Sequence, residues 1–252
     1  MELLKHLVKE ETKSLLKQHP EYLIKMRLLL LSLTAFLIAL SINHPKAVVS
    51  ITFDDGLLSE YEAARILEEY GFKGTFYIPA GLLGSDFEDN KVMNYSQVKD
   101  LYERGHEIGC HTMTHANLST LNNAQVRHEL SMCKELLKEF NPVSFAYPYG
   151  EGTQWEYIVK EYYTSARILR QELNTKKGFN ISTLIFVHDR MERLNTLREW
   201  LGKEGWIVLT IHGVTNTPRG LIDITPEELR EILSIIKESG AQVKTVGEVI
   251  RG

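Results

Sequence analysis

Two stretches of this chain carry side chains whose types and spacing suit metal-assisted hydrolysis. Asp54 and Asp55 stand side by side before Gly56, closing the apolar run Val48, Val49, Ser50, Ile51, Thr52, Phe53. Such a run reads as a buried strand. Two adjacent carboxylates are then presented at a strand's C-terminal end. His111 and His115 stand four residues apart, after a short apolar run ending at Cys110. One carboxylate and two imidazoles make a three-ligand set that leaves metal positions open for water and substrate. The other carboxylate is left beside the metal, where a general base is needed. Each half alone has a plainer reading, as an Asp-Gly turn or as packing histidines. Both together, in this order, are more specific.

These groups must be positioned by alternating strands and helices. Strands are expected at 48–53, 74–78, 107–110, 143–147, 163–167, 183–187, 206–211 and 242–246. Helices are expected at 60–70, 97–104, 124–140, 155–162, 196–203 and 226–238. Ser59 with Glu62, Ser96, and Thr225 with Glu228 have the spacing of helix caps. Residues 81–95 read as a loop with a small solvated acidic cluster, Asp86, Glu88 and Asp89. Repeated β-α units imply a largely parallel sheet, and seven or eight of them suggest a barrel. In such barrels the strand C-termini carry the chemistry. Asp54, Asp55, His111, Tyr149 and His212 all fall at or just past an expected strand end.

Two further stretches agree: Phe145, Ala146, Tyr147, Pro148, Tyr149, Gly150, and the strand 207–211 that ends in His212. Together these motifs resemble the polysaccharide deacetylases, the carbohydrate esterase group with the chitooligosaccharide deacetylase homology domain. Residues 52–56 match that family's first motif and 111–115 its second. Residues 146–150 match its third except at an arginine, and 207–212 its fifth. The resemblance covers 48–252. It implies an irregular (β/α) barrel and a metal-dependent hydrolase that removes N-acetyl groups from N-acetylglucosamine-containing polysaccharide, releasing acetate. It also implies roles: Asp55, His111 and His115 as metal ligands, Asp54 as base, the Tyr149 N–H as oxyanion donor, and His212 as general acid. Zinc suits one carboxylate and two imidazoles, with cobalt or nickel as alternatives.

Two departures shape the expectation. Ala146 stands where the family usually has an arginine paired with the catalytic aspartate. Members resembling poly-N-acetylglucosamine deacetylases also lack it. Arg167, at the end of the next expected strand, can supply the charge from there. The fourth motif is unclear, with Asp189 as a candidate partner for His212 or as part of a polar loop. Trp200 and Trp206 read as core aromatics. A deacylase of a small non-sugar amide and a carbohydrate-binding protein without activity are the alternative readings.

The chain has 252 residues, with Lys+Arg 29 against Asp+Glu 33 and a net charge of −4. No basic stripe suggests nucleic acid. Cys110 and Cys133 read as buried structural thiols. The division expected is an N-terminal segment, 1–47, and a catalytic domain, 48–252. Residues 28–42 carry no charge and follow Lys25 and Arg27. That pattern reads as a secretory segment or membrane anchor, placing the catalytic domain outside. A cytoplasmic hairpin of helices is the alternative.

Overall fold

The computed structural model describes residues 20–42, 47–188, 192–218 and 222–252. The chain divides into two compact units, Met1–Pro45 and Lys46–Gly252. In the first, a helix α1 spans Pro20–Ile42. Its Leu28, Leu29, Leu30, Leu31 and Leu33 are exposed. Among the described residues no helix is long and apolar enough to cross a membrane. The uncharged run 28–42 is itself shorter than the ~20 apolar residues a span requires.

The second unit runs β1 (Val48–Phe53), α2 (Leu58–Glu69), β2 (Thr75–Ile78), a hairpin of β3 (Asp86–Phe87) and β4 (Asn90–Lys91), α3 (Tyr95–Glu103), β5 (Glu107–Cys110), α4 (Asn123–Leu136), β6 (Ser144–Ala146), α5 (Glu156–Tyr162), β7 (Ser165–Arg167), β8 (Leu184–Ile185), α6 (Glu192–Leu201), β9 (Trp206–Ile211), α7 (Pro226–Ser239), β10 (Gln242–Val243) and α8 (Val246–Arg251). The main sheet has the order β7-β6-β5-β2-β1-β9-β8, with β10 also on β1, and every pairing in it is parallel. Ile181 bridges back to β7 through Ile181 N to Ala166 O and Ile168 N to Ile181 O. The segment from Ile181 into β8 thus joins the two ends of the curled sheet, giving the irregular (β/α) barrel that the alternating pattern implies.

The strands alternate between an apolar outer face and a polar inner one, as a period of two requires. Val49, Ile51, Phe53, Phe76, Ile78, Ile108, Phe145, Leu184, Ile207, Leu209 and Ile211 belong to the main core under the helices. The intervening residues bond to one another across strands. Thr52, Thr210 and Thr183 share hydroxyl contacts of 3.3 and 2.7 Å. Lower down, Glu107 accepts from Thr75, Ser144 and the Gly247 N–H. The Tyr77 ring fills the interior where a Cβ on Gly109 would come within 2.5 Å of it. The threonine and Glu107 clusters are tolerable inside because their groups satisfy each other, whereas the buried Tyr77 hydroxyl has no hydrogen-bond partner among the described residues.

The helices start differently from the caps read in the sequence. Asn94 and Asn122, each with a Gln three residues on, close capping boxes on α3 and α4. Ser96 and the 124 start are therefore replaced. Helix α2 starts without a side-chain cap, and the Ser59 hydroxyl instead accepts from the Val214 N–H. Thr225 and Glu228 do cap α7. The 81–95 loop contains the β3–β4 hairpin, and the expected strand 242–246 gives way at Thr245 to α8. The two cysteines are not free thiols: Cys110 and Cys133 form a disulfide. Their sequence separation of 23 sets an entropic stabilisation of about 3 kcal/mol. Replacing both by serine should lower the unfolding free energy by about that amount, as read by denaturant titration under non-reducing conditions. An unchanged midpoint would show that the bridge does not constrain the unfolded chain.

Candidate metal and acid–base centre

Parallel register gathers the motif residues at one end of the barrel. Phe53 pairs with Ile211, so Asp54 and His212 follow side by side, and the Asp54 N–H donates to Ile211 O. Ile78 pairs with Cys110, and the His111 N–H donates to Ile78 O. Ala146 pairs with Arg167. Asp54, Asp55, His111, His115 and Arg167 are all buried. Four residues here adopt left-handed backbone: Asp55 (φ 78°), Thr112 (62°), His115 (59°) and Tyr149 (58°). Such conformations cost non-glycine residues of order 1–3 kcal/mol each. The loops are shaped for placement of side chains at the expense of local stability.

The two aspartates have different surroundings. Asp55 Oδ1 lies 3.4 Å from His111 Nε2 and 3.0 Å from His115 Nε2. The three donor atoms fall within 4.8 Å of one another. Ligands about 2.0 Å from a tetrahedral zinc would be about 3.3 Å apart, so this donor set fits the ion. His111 Nδ1 lies 2.8 Å from Ala146 O. A ring nitrogen facing a carbonyl must carry the proton, which assigns Nε2 as the ligating atom. Burial alone would raise the Asp55 pKa. Its close contacts with the His111 and His115 rings outweigh that and hold the carboxyl below the usual range.

Asp54 turns the other way. Its Oδ2 is ion-paired to the Arg167 guanidinium, whose side chain is fully buried. His212 Nε2 stands 3.9 Å from the same oxygen. Arg167 also lies over the Tyr77 ring at 5.4 Å. Asp54 Oδ1 is buried without a hydrogen-bond partner among the described residues. The guanidinium thus reaches Asp54 from the strand beside Ala146. Tyr149 follows β6 with its side chain 52% exposed and its ring 4.8 Å from that of His115. Asp189 and Arg190 lie outside the described residues. Trp206 is buried in a small cluster with Ile181 and Val208, and Trp200 packs against the main core.

Two residues that sequence reasoning missed also act on the centre. Glu129, on α4, accepts from the Met113 and Thr114 N–H groups and the Thr114 hydroxyl at 2.9 Å each. One turn later Cys133 carries the disulfide to Cys110. Helix α4 therefore grips the histidine loop at two points. Glu60, on α2, is fully buried, and no side chain among the described residues hydrogen-bonds to its carboxyl, which has only a weak backbone contact at Leu57. Burial first, then the charges of Asp55 and Asp54, raises its pKa well above the ordinary value. Both glutamates share an apolar stripe, with Val126, Leu130 and Cys133 in one case and Ala63, Ala64 and Leu67 in the other. A carboxylate at a core position was the available signal.

Two tests follow from this electrostatic arrangement. Arg167→Ala leaves Asp54 buried without its cation and should cost about 3–5 kcal/mol. Arg167→Lys should recover only part, because a point charge reproduces neither the fork nor the stacking. Chemical denaturation of the three proteins is the check, and equal stability would show that the pair contributes nothing. For Glu60 the native pKa lies above the unfolded value of 4.5. The native state then binds that proton more tightly, a stabilisation complete below the unfolded pKa and lost as pH rises through the native value. Glu60→Gln should therefore resemble the parent near pH ~4 and exceed it in Tm increasingly as the pH is raised. A difference in Tm that stays constant with pH would count against a neutral buried Glu60.

Comparison with known proteins matches this geometry to a family. Residues 41–165 match the family model for polysaccharide deacetylase. A chitin deacetylase of Arthroderma benhamiae is 27% identical over 213 residues, covering 80% of this chain and 51% of the relative. A peptidoglycan-N-acetylglucosamine deacetylase of Bacillus cereus is 35% identical over 118 residues, covering 45% of this chain and 40% of the relative. The chain thus spans about half, or less, of the length of these two relatives. Among solved structures, a peptidoglycan N-acetylglucosamine deacetylase superposes with a TM-score of 0.56 at 22% identity, covering 81% of this chain and 88% of that one. That likeness shows the shared fold. By its motifs, its matched residues and its barrel, the chain belongs to the polysaccharide deacetylase family.

Proposed function

We propose that this chain is a metal-dependent hydrolase that removes N-acetyl groups from N-acetylglucosamine-containing polysaccharide. The observation that carries the reading is the division of the aspartates. Asp55 clusters with two imidazole nitrogens, while Asp54 stands with Arg167 and His212. Asp55, His111 and His115 would hold a divalent ion, which would supply Lewis acidity towards the acetamide carbonyl and lower the pKa of water. Zinc suits the donor set, and cobalt or nickel can replace it. Asp54, held by Arg167, takes the proton from the attacking water. The Tyr149 N–H stabilises the oxyanion that forms on the carbonyl oxygen. His212 gives a proton to the nitrogen as the C–N bond breaks, leaving acetate and a free amine.

The rim supports a sugar substrate. Tyr149 is half exposed beside His115, and the exposed Leu169 packs by Gly150. Such an apolar edge suits the apolar face of a sugar ring. Export of the domain fits the same reading. The uncharged run 28–42 after Lys25 and Arg27 and the disulfide both suit an oxidising compartment outside the cytoplasm.

Acetate release should be measured on chitin oligomers, poly-N-acetylglucosamine, peptidoglycan and acetylxylan. Activity on the acetamido polymers and none on acetylxylan is expected. Asp54→Asn should keep its metal by mass spectrometry and lose about 10²-fold or more in turnover. Asp55→Asn should lose metal. Reversal of these two outcomes would exchange the roles, and absence of acetate release from every acetamide would sink the activity.

A further inference from the structure

Among the described residues, only one of the two imidazoles has its Nδ1 held by a hydrogen bond. His111 Nδ1 meets Ala146 O. His115 Nδ1 is buried without a hydrogen-bond partner among the described residues. A ligating histidine ordinarily has its ring fixed by such an outer partner. Around His115 the contacts are aromatic instead. The Phe87 ring centroid lies 4.7 Å away at 58°, Tyr149 at 4.8 Å and His111 at 4.9 Å.

Phe87 is delivered there by a braced arm. It lies on β3, and the two-residue turn to β4 uses Glu88 and Asp89 at φ 48° and 61°. Two consecutive positive-φ residues give the twist a tight hairpin requires. One end of the arm is tied to the aspartate turn, with the Met93 N–H donating to Gly56 O and Val92 bridging Leu57. The other end is tied to the histidine loop, with the Ala80 and Gly81 N–H groups donating to Thr112 O and Met113 O. A Cβ on Gly81 would come within 2.8 Å of Met113 O, so a larger residue would push the arm off that loop. The arm therefore spans both halves of the candidate metal centre.

We propose that Phe87 is a positioning residue for the metal centre, holding the His115 imidazole by ring packing where a hydrogen bond is missing. This rests on the metal reading given above. A ring packed at a tilt against Phe87 and edge-on with Tyr149 has restricted torsion, which keeps Nε2 facing Asp55 Oδ1 at 3.0 Å. Without Phe87, rotation of the ring removes the third donor for part of the time, and ion affinity falls.

Cobalt(II) provides a test independent of catalysis. The protein is loaded with cobalt, and its visible absorption is followed during titration with a competing chelator. Phe87→Ala should weaken binding about 10-fold, the lower end of what loss of an outer-sphere partner does, and should change the band shape. Phe87→Tyr should restore both, since it keeps the flat face. Phe87→Leu, which preserves apolar bulk if truncation disturbs the hairpin, should fall between. At saturating metal, KM for the acetylated oligomer should match the parent. Parental cobalt affinity in both the Ala and Leu variants would overturn the proposal, as would a raised KM with affinity intact, which would make Phe87 a sugar contact. His115→Ala is the separate control: parental affinity in that variant would remove the ligand assignment itself.

Discussion

The whole arrangement turns on the difficulty of burying neighbouring negative charges. Asp54 and Asp55 are consecutive, and both are buried. Moving one carboxylate out of water costs several kcal/mol unless a cation or strong hydrogen bonds replace the solvent. The fold answers each separately, with a guanidinium for Asp54 and two imidazoles for Asp55. Left-handed backbone at Asp55 turns the second carboxylate away from the first, so one strand end feeds two environments. Glu60 brings a third carboxyl to the same region, and burial beside two charges raises its pKa.

Keeping those partners in place falls to elements well away from the reacting atoms. Register alone puts Asp54 beside His212 and Arg167 beside Ala146. The histidine loop has no such sheet ladder beyond His111. It is held instead by Glu129 and the disulfide from α4 on one side, and by the arm carrying Phe87 on the other. A loop with strained residues at Thr112 and His115 needs this outside support, because its own backbone preferences oppose its shape. The constraint runs from helix packing to loop to imidazole, and the position of Nε2 is its end point.

Much of this was legible in the chain itself, and the parts that were not share a cause. Strand patterning located β1, β2, β5 and β9 closely, because each sets apolar residues for the core beside residues that face the barrel interior. It also put Asp54, His111 and His212 at strand ends. Ser96 was read as a cap where Asn94 serves, because both are good capping types and tertiary context chooses. The disulfide was read as two thiols because pairing depends on α4 lying against β5, which sequence spacing does not encode. Glu129, Glu60 and Phe87 escaped for the same reason. Each acts on the centre from an element remote in sequence, and its local pattern marks it only as buried or as part of a polar loop. Arg167 was legible because a motif position held alanine and a cation stood at the end of the adjacent strand.

That relocation explains how a motif can lose a residue and retain its charge geometry. Parallel strands place Ala146 and Arg167 at the same height. A long side chain starting from either position can therefore reach the barrel's open end. The Ala146 carbonyl meets His111 Nδ1. Arg167 in turn crosses the interior above the Tyr77 ring, and that ring is accommodated by Gly109. Two neighbouring positions, an alanine and an arginine at the same height, thus draw in a tyrosine and a glycine on other strands. Changing any one of the four alters the room or support available to the guanidinium. In this barrel the identity of the third motif is therefore a property of four strands together, β2, β5, β6 and β7, and a single-motif reading sees only one of them.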